Sequence, residues 1–354
     1  MKKIFLMMVF FVPLLCAGQP CPSYLKDYKE LYKENPRKAA LAWFQNARYG
    51  LFIHYGLYSV EAKHPFLQFE EKIPVAEYEK LAGKFDARNF DARKIAKLAK
   101  KTGLKYITFV TKHCDGFCLW DSPSNEFNSM NSAARRDLVA EMAEACEKER
   151  LGLSLFYEHG FDWHHPHAPR KKDWNCSLTE VPYESPEPTY AYEDYDLNNY
   201  VEYVKAQIKE LLTQYGSIAG IWLDGAAVPT NGETSRFKLQ ELYDMIHRLQ
   251  PQALVAYKYG VIGTEDFLAP EYIQLQNVDA NEWTRKPAEI CVPLNKSWGY
   301  VEGEPHMNIE QLLVWKQRAD ESFANLLINV GPRGDGSIDE RDEKTLKQFS
   351  KYLK

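Results

Sequence analysis

The run Ile221-Trp222-Leu223-Asp224-Gly225 places a carboxylate at the end of a short apolar segment. A buried parallel strand reads this way, and an acid at its carboxyl end emerges where α/β folds assemble active sites. Asp224 is therefore either a catalytic acid or the cap of an Asp-Gly turn. Other strand-like runs end in His54-Tyr55-Gly56, in Lys112-His113-Cys114-Asp115-Gly116 and in Tyr157-Glu158-His159. A single strand-end histidine is usually a structural hydrogen-bonding group, but several converging on one face form a polar pocket. If Asp224 is a nucleophile in glycosidic-bond cleavage, it needs a second carboxyl about 5–5.5 Å away to protonate the leaving group. The segment Gly263 to Glu271 offers Glu265, Asp266 and Glu271; its alternative reading is an ordinary solvated acidic loop.

These residues need a scaffold that brings strand ends together. Apolar runs at 49–55, 105–111, 153–157 and 325–330, with shorter ones near 253–258 and 272–276, alternate with amphipathic stretches. Helices are expected at 91–102, with Ile95, Leu98 and Ala99 on one face and Gly103 as its stop, and near 135–149, 197–214, 234–249 and 309–322, with a closing helix to Lys354. Repeated βα units give a parallel sheet. With the strand that carries Asp224 this makes seven strands, and the poorly patterned 278–305 stretch has room for an eighth. The expected fold class is therefore α/β, a (β/α)8-like (TIM-type) barrel that tolerates irregularity, ahead of a doubly wound open sheet. Two long interruptions, 59–90 and 163–196, are rich in Pro, His, Tyr and Trp, the composition of loops that carry function.

The chain has 354 residues, 45% of them hydrophobic, enough for a large core. A net charge of −5 leaves no basic footprint for nucleic acid, and 14% aromatic content suits rings stacked on sugars. Residues 1–18 read as a signal peptide: Lys2-Lys3, an apolar Ile4 to Leu15, and Cys16-Ala17-Gly18 as the cleavage site. The expected mature chain, 19–354, is one exported domain, periplasmic or secreted. Lipid anchoring on Cys16 is disfavoured because Pro13-Leu14-Leu15 lacks the small residue that usually precedes a lipidated cysteine. No later stretch reaches the roughly 18 apolar residues of a membrane span, so a soluble mature protein is expected. Its six cysteines, 21, 114, 118, 146, 176 and 291, allow 15 pairings, and none has zinc-site spacing. Mostly free, buried thiols are expected.

Further motifs occur in order: Trp43-Phe44 through Arg48 to His54; Phe85-Asp86 and Phe90-Asp91-Ala92; Thr111-Lys112-His113 with Asp115 to Ser122; Arg136-Asp137-Leu138; Asp162 to Pro166; Trp222 to Gly225; Ser297-Trp298-Gly299-Tyr300; and Asn325 to Pro332 with Asp335-Gly336. With these, residues 42–353 resemble glycoside hydrolase family 29, the α-L-fucosidases. The resemblance implies a barrel catalytic domain without metal or cofactor that removes terminal α-L-fucosyl residues from fucosylated oligosaccharides or glycoconjugates with retention. Asp224 matches the family nucleophile. Glu271 matches the acid/base of some members, with Glu265 as the alternative. His54 and His113 match positions that hydrogen-bond fucose hydroxyls, and Tyr157 and Trp222 match binding aromatics. Trp120 and Trp163 stand between lining the cleft and filling the core.

Several positions depart from that pattern. Cys114 replaces a histidine and should weaken sugar binding by about 0.5–1.5 kcal/mol. Tyr55 replaces a tryptophan among the expected substrate-binding residues, Lys258 stands where some members place an arginine, and residues 59–73 lack a Glu-Trp pair. The chain ends one helix after Val330, before the β-sandwich found in many members, so part of an acceptor-side wall is expected to be missing or to come from another subunit. Sugar specificity is thus the property in question. A barrel glycosidase for a different sugar and a non-catalytic glycan-binding relative remain the alternatives.

Overall fold

The computed structural model describes residues 20–170, 194–225, 234–271 and 286–353. Eight parallel strands follow one another: β1 Tyr49–Ile53, β2 Tyr106–Lys112, β3 Gly152–Glu158, β4 Gly220–Asp224, β5 Leu254–Tyr257, β6 Phe267–Leu268, β7 Glu289–Pro293 and β8 Asn325–Val330. Their order is β6-β5-β4-β3-β2-β1-β8-β7. The two ends of that order meet, because Leu268 bridges Ala288 and Glu271 bridges Cys291, both in parallel. The sheet therefore closes into the expected (β/α)8 barrel. The strand anticipated within 278–305 is β7. The sixth strand is only two residues long, too short for any periodicity to reveal, and precedes the expected 272–276, which lies outside the described residues.

Side-chain alternation sorts each strand into two layers. Leu51, Ile53, Leu153, Leu155, Tyr157, Ile221 and Leu223 face outward and pack against the helices. Phe52, Phe156 and Trp222 face inward, in one cluster with Trp43 and Phe44. Those last two belong to a helix, Pro36–Ala47, that the sequence reading passed over. It starts on Asn35, whose side chain accepts from Lys38 N–H at 2.9 Å, with Pro36 in the first turn. Its Trp43 ring lies 6.1 Å from that of Tyr106 at the start of β2, so the helix plugs the end of the barrel opposite the strand termini.

The expected helices are present, and most start on a side-chain cap. Ala92–Lys101 is capped by Asp91, Leu138–Glu149 by Asp137 and Leu197–Gln214 by Asp196. Ile309–Glu321 opens with a reciprocal Asn308–Gln311 capping box. The described cysteines, 21, 114, 118, 146 and 291, are all free. Cys176, the signal-like residues 1–18 and most of 163–196 lie outside the described residues. No described helix is long and apolar enough to cross a membrane.

Candidate active site

The strand termini surround a cavity of about 300 Å³, lined by Phe52 from β1 and His54 just after it, Phe156 and Glu158 from β3, Trp222 and Asp224 from β4, Lys258 after β5, Glu271 after β6, Cys291 from β7, and His113, Phe66, Phe161 and Trp298. This is the small end of ligand-site volumes, about 300–1,000 Å³, and suits one sugar ring. Its walls are mainly aromatic, and its polar groups gather where the strands end.

Three of those groups form one unit. Asp224 Oδ1 accepts from Gly225 N–H at 2.6 Å, and Oδ2 accepts from Lys258 Nζ at 3.1 Å. The same ammonium is paired with Glu271. Two hydrogen bonds to a common nitrogen hold the bonded oxygens of Asp224 and Glu271 within about 6 Å of each other. Burial opposes the charge on Lys258, but Asp224 and then Glu271 outweigh it and hold the pKa well above the usual lysine value.

The histidines are neutral. Burial, reinforced by His113, pushes the His54 pKa well below its ordinary value. Asn329 Nδ2 donates to Trp298 O at 2.7 Å, so Asn329 Oδ1, 2.7 Å from His54 Nδ1, is the acceptor of that contact. His54 thus carries its proton on Nδ1 and keeps Nε2 as an acceptor. His113 is pushed down to about 3, first by burial. It stacks on Phe156 with ring centroids 5.6 Å apart, and its Nδ1 has no partner among the described residues. A register shift between Val110 and Lys112 aims this ring. Val110 faces inward, and the shift turns Lys112 outward to pair with Asp162 at 2.5 Å and His113 inward.

Trp222 is anchored from below by Nε1–H donation to Glu289 Oε1 at 3.1 Å, and Tyr106 donates to the other oxygen of that carboxyl. Burial raises Glu289 to about 7.

Of the expected site residues, Asp224, Glu271, His54, His113, Trp222 and Lys258 line the cavity. Tyr157 does not. It alternates with the inward Phe156 and Glu158, faces the helices, and donates to Gln207 Oε1 at 2.7 Å. Tyr55 follows the same parity on the first strand, donating to Gly334 O at 3.0 Å and stacking on Phe90. Glu265 also points away from the cavity: it accepts from the N–H groups of Val261, Ile262 and Gly263 at 2.9–3.0 Å and from the Tyr243 hydroxyl. Burial would raise its pKa, but those amides hold it below the usual value. Cys114 is packed with Phe161 and Trp163 and is not among the residues that line the cavity. Trp120 is buried and donates to Glu210.

Glu158 is the polar wall residue that the sequence reading left unassigned. Strict alternation along Ser154, Phe156 and Glu158 was the signal that could have found it. The residue is 2% exposed, and its carboxyl accepts from Gly160 N–H at 3.2 Å. Burial, then the Asp224 charge, pushes its pKa well above the carboxylate range. Ligand atoms of Glu158, His113 and Cys114 lie within 4.8 Å of one another, a spacing that could hold a metal ion. The Lys258 ammonium disfavours protonated His113 and favours ionised Glu158, so it sits close enough to oppose a second cation there.

The sequence profile of the family described as Alpha-L-fucosidase matches residues 19–354. The plasma alpha-L-fucosidase of Rattus norvegicus is 26% identical over 371 residues, covering 98% of this chain and 76% of that one. Alpha-L-fucosidase 1 of Arabidopsis thaliana is 28% identical over 292 residues; the match covers 75% of this chain but only 52% of the plant protein, about half its length. Among solved structures, alpha-L-fucosidase isoenzyme 1 from Paenibacillus thiaminolyticus superposes with a TM-score of 0.79 at 32% identity, covering 90% of this chain and 76% of that chain. Alpha-L-fucosidase AlfC from Lactobacillus casei, solved with its alpha-L-fucose product, gives 0.76 at 29% identity over 88% of this chain and 98% of that chain.

Proposed function

This chain belongs to the α-L-fucosidase family of glycoside hydrolases, and on that premise we propose that it is a retaining exo-α-L-fucosidase that releases terminal α-L-fucosyl residues from glycans. The observation that carries the reading is the pairing of Asp224 and Glu271 with one ammonium, Lys258, at the mouth of an aromatic pocket sized for a single sugar. Their separation suits the retaining arrangement of about 5–5.5 Å and is shorter than the 6.5–9.5 Å of inverting enzymes.

In this reading Asp224 attacks the anomeric carbon while Glu271 gives its proton to the departing glycosidic oxygen. A glycosyl ester on Asp224 forms as the bond to the aglycone breaks. Glu271, now ionised, takes a proton from water, whose oxygen displaces Asp224 and releases fucose with net retention. Lys258 Nζ, 3.1 Å from Asp224 Oδ2, holds that carboxyl in place for attack. His54 Nε2 accepts from a sugar hydroxyl, and the faces of Trp222 and Trp298 cover the C–H side and methyl group.

An aryl α-L-fucoside, assayed beside other aryl glycosides with wild type and Asp224→Asn, tests the reading. Turnover of the fucoside that disappears in the variant, with the α-anomer appearing first by proton NMR, is the expected result. Turnover of another sugar only, an initial β-anomer, or equal rates in both proteins would overturn it. Residues 19–354 are taken as one catalytic domain, exported after removal of residues 1–18. A mature product from the periplasm or medium starting at Gln19 is the expected readout; retention of Met1 to Gly18 would count against export.

A further inference from the structure

The cavity carries three carboxyl groups but, among the described residues, only one lysine or arginine. Lys258 is committed to Asp224 and Glu271. Glu158 is left with a backbone amide, Gly160 N–H, at 3.2 Å. A buried carboxylate with no ion-pair partner of its own, beside a second negative group, is strongly disfavoured, and the ammonium already shared by Asp224 and Glu271 does not offset this, so Glu158 holds a proton. As a carboxylic acid it can both donate and accept a hydrogen bond.

Its position is set by the sheet. β3 and β4 pair in parallel with Glu158 opposite Asp224, and neighbouring strands lie about 4.8 Å apart. Glu158 therefore stands one strand spacing from the group that would attack the anomeric carbon. Within that reach lie the two ring atoms that flank this carbon. One is the ring oxygen, which has no proton to give and which shares the positive charge of the oxocarbenium-like transition state, so that a donor aimed at it would oppose the reaction; the other is a carbon bearing a hydroxyl. We propose that Glu158 is a substrate-contacting specificity residue, whose carboxyl hydrogen-bonds the hydroxyl on the carbon next to the anomeric centre. This rests on the α-L-fucosidase reading above.

The contact selects for a sugar that carries that hydroxyl, because without it a buried carboxyl faces an apolar ring edge. It also strengthens during reaction. As positive charge grows on the anomeric carbon, the neighbouring hydroxyl becomes a better donor to the Glu158 carbonyl oxygen, an effect available only in the transition state.

The test crosses enzyme and substrate changes. Wild type, Glu158→Leu and Glu158→Gln are assayed on an aryl α-L-fucoside and on its 2-deoxy counterpart, with folding checked by circular dichroism. Glu158→Leu should lose about ten- to a hundredfold in kcat/KM on the fucoside and less than about threefold on the 2-deoxy substrate. Glu158→Gln, neutral and able to donate and accept, should fall only a few-fold on the fucoside. Equal losses of Glu158→Leu on both substrates, or a Gln variant as impaired as Leu, would overturn the assignment. If Leu prevents folding, Glu158→Ser, too short to reach the ring, replaces it with the same expectation. A wild type inactive on every α-L-fucoside overturns the function reading instead, so the two failures are distinct.

Discussion

Lys258 Nζ lies 3.1 Å from Asp224 Oδ2 while also pairing with Glu271, so a single ammonium sets the spacing of two acids that come from different strands. Replacing Lys258 by Met removes the cation that both acids share. Activity near neutrality should then fall by about 10²–10³-fold in kcat/KM, because the developing charges at the anomeric centre lose a fixed cation and the two acids lose their common anchor. Lys258→Arg should recover part of the loss because the charge returns. An unchanged kcat/KM in Lys258→Met would show that the ammonium does not position the two acids.

Glu271 lines the cavity, whereas Glu265 is held by three backbone amides and the Tyr243 hydroxyl. Glu271→Gln should therefore lose about 10²–10⁴-fold on substrates with poor leaving groups, far less on activated aryl fucosides, and regain turnover with azide. Glu265→Gln should retain turnover and lose thermal stability, since its loop loses a shared acceptor. The opposite pattern would exchange the two roles.

The buried Lys112–Asp162 pair lies just beyond the register shift that turns His113 inward. Lys112→Met strands the Asp162 charge and should destabilise the fold by about 3–5 kcal/mol in urea titrations. Adding Asp162→Leu to that variant should restore much of the stability while KM stays raised, because His113 is no longer held. A double variant with normal KM would show that the pair stabilises without aiming the ring.

The barrel and most of its strands were legible because apolar runs of four to seven residues alternate with capped amphipathic helices. β6 was not, since two residues carry no period. The strand-end rule located Asp224, His54 and His113, yet it overreached at Tyr55 and Tyr157, because adjacent residues on a strand face opposite sides. Parity assigns Phe156 and Glu158 to the cavity and Tyr157 to the helices. His113 breaks the parity of its own strand through a bulge that no periodicity announces. The spacing of Glu265, Asp266 and Glu271 gave no ground for choosing among them; the backbone hydrogen bonds that divert Glu265 appear only in the fold.

Cys114 is fully buried against Phe161 and Trp163. Cys114→Ala should lower stability by about 1 kcal/mol through the cavity it leaves, with KM for an aryl α-L-fucoside changed less than twofold. A several-fold change in KM at unchanged stability would return the thiol to the binding surface.

His159 has a different consequence, in acid. It is buried behind the site, with Nδ1 3.1 Å from the Tyr257 hydroxyl, and burial, helped by Lys112, pushes its pKa down to about 3. The unfolded chain binds this proton near pH 6.5, the folded chain only near 3, so the stability contributed by the neutral ring is complete above about 6.5 and declines by about 1.4 kcal/mol per pH unit below it. Buried carboxyls such as Glu289, raised to about 7, act in the opposite sense. The comparison that isolates His159 is therefore wild type against His159→Gln, which keeps a side chain able to meet Tyr257 but does not titrate. The wild-type Tm should fall more steeply than the variant's between pH 6.5 and 4. Parallel curves would mean that His159 takes up its proton in the folded protein as readily as in the unfolded chain.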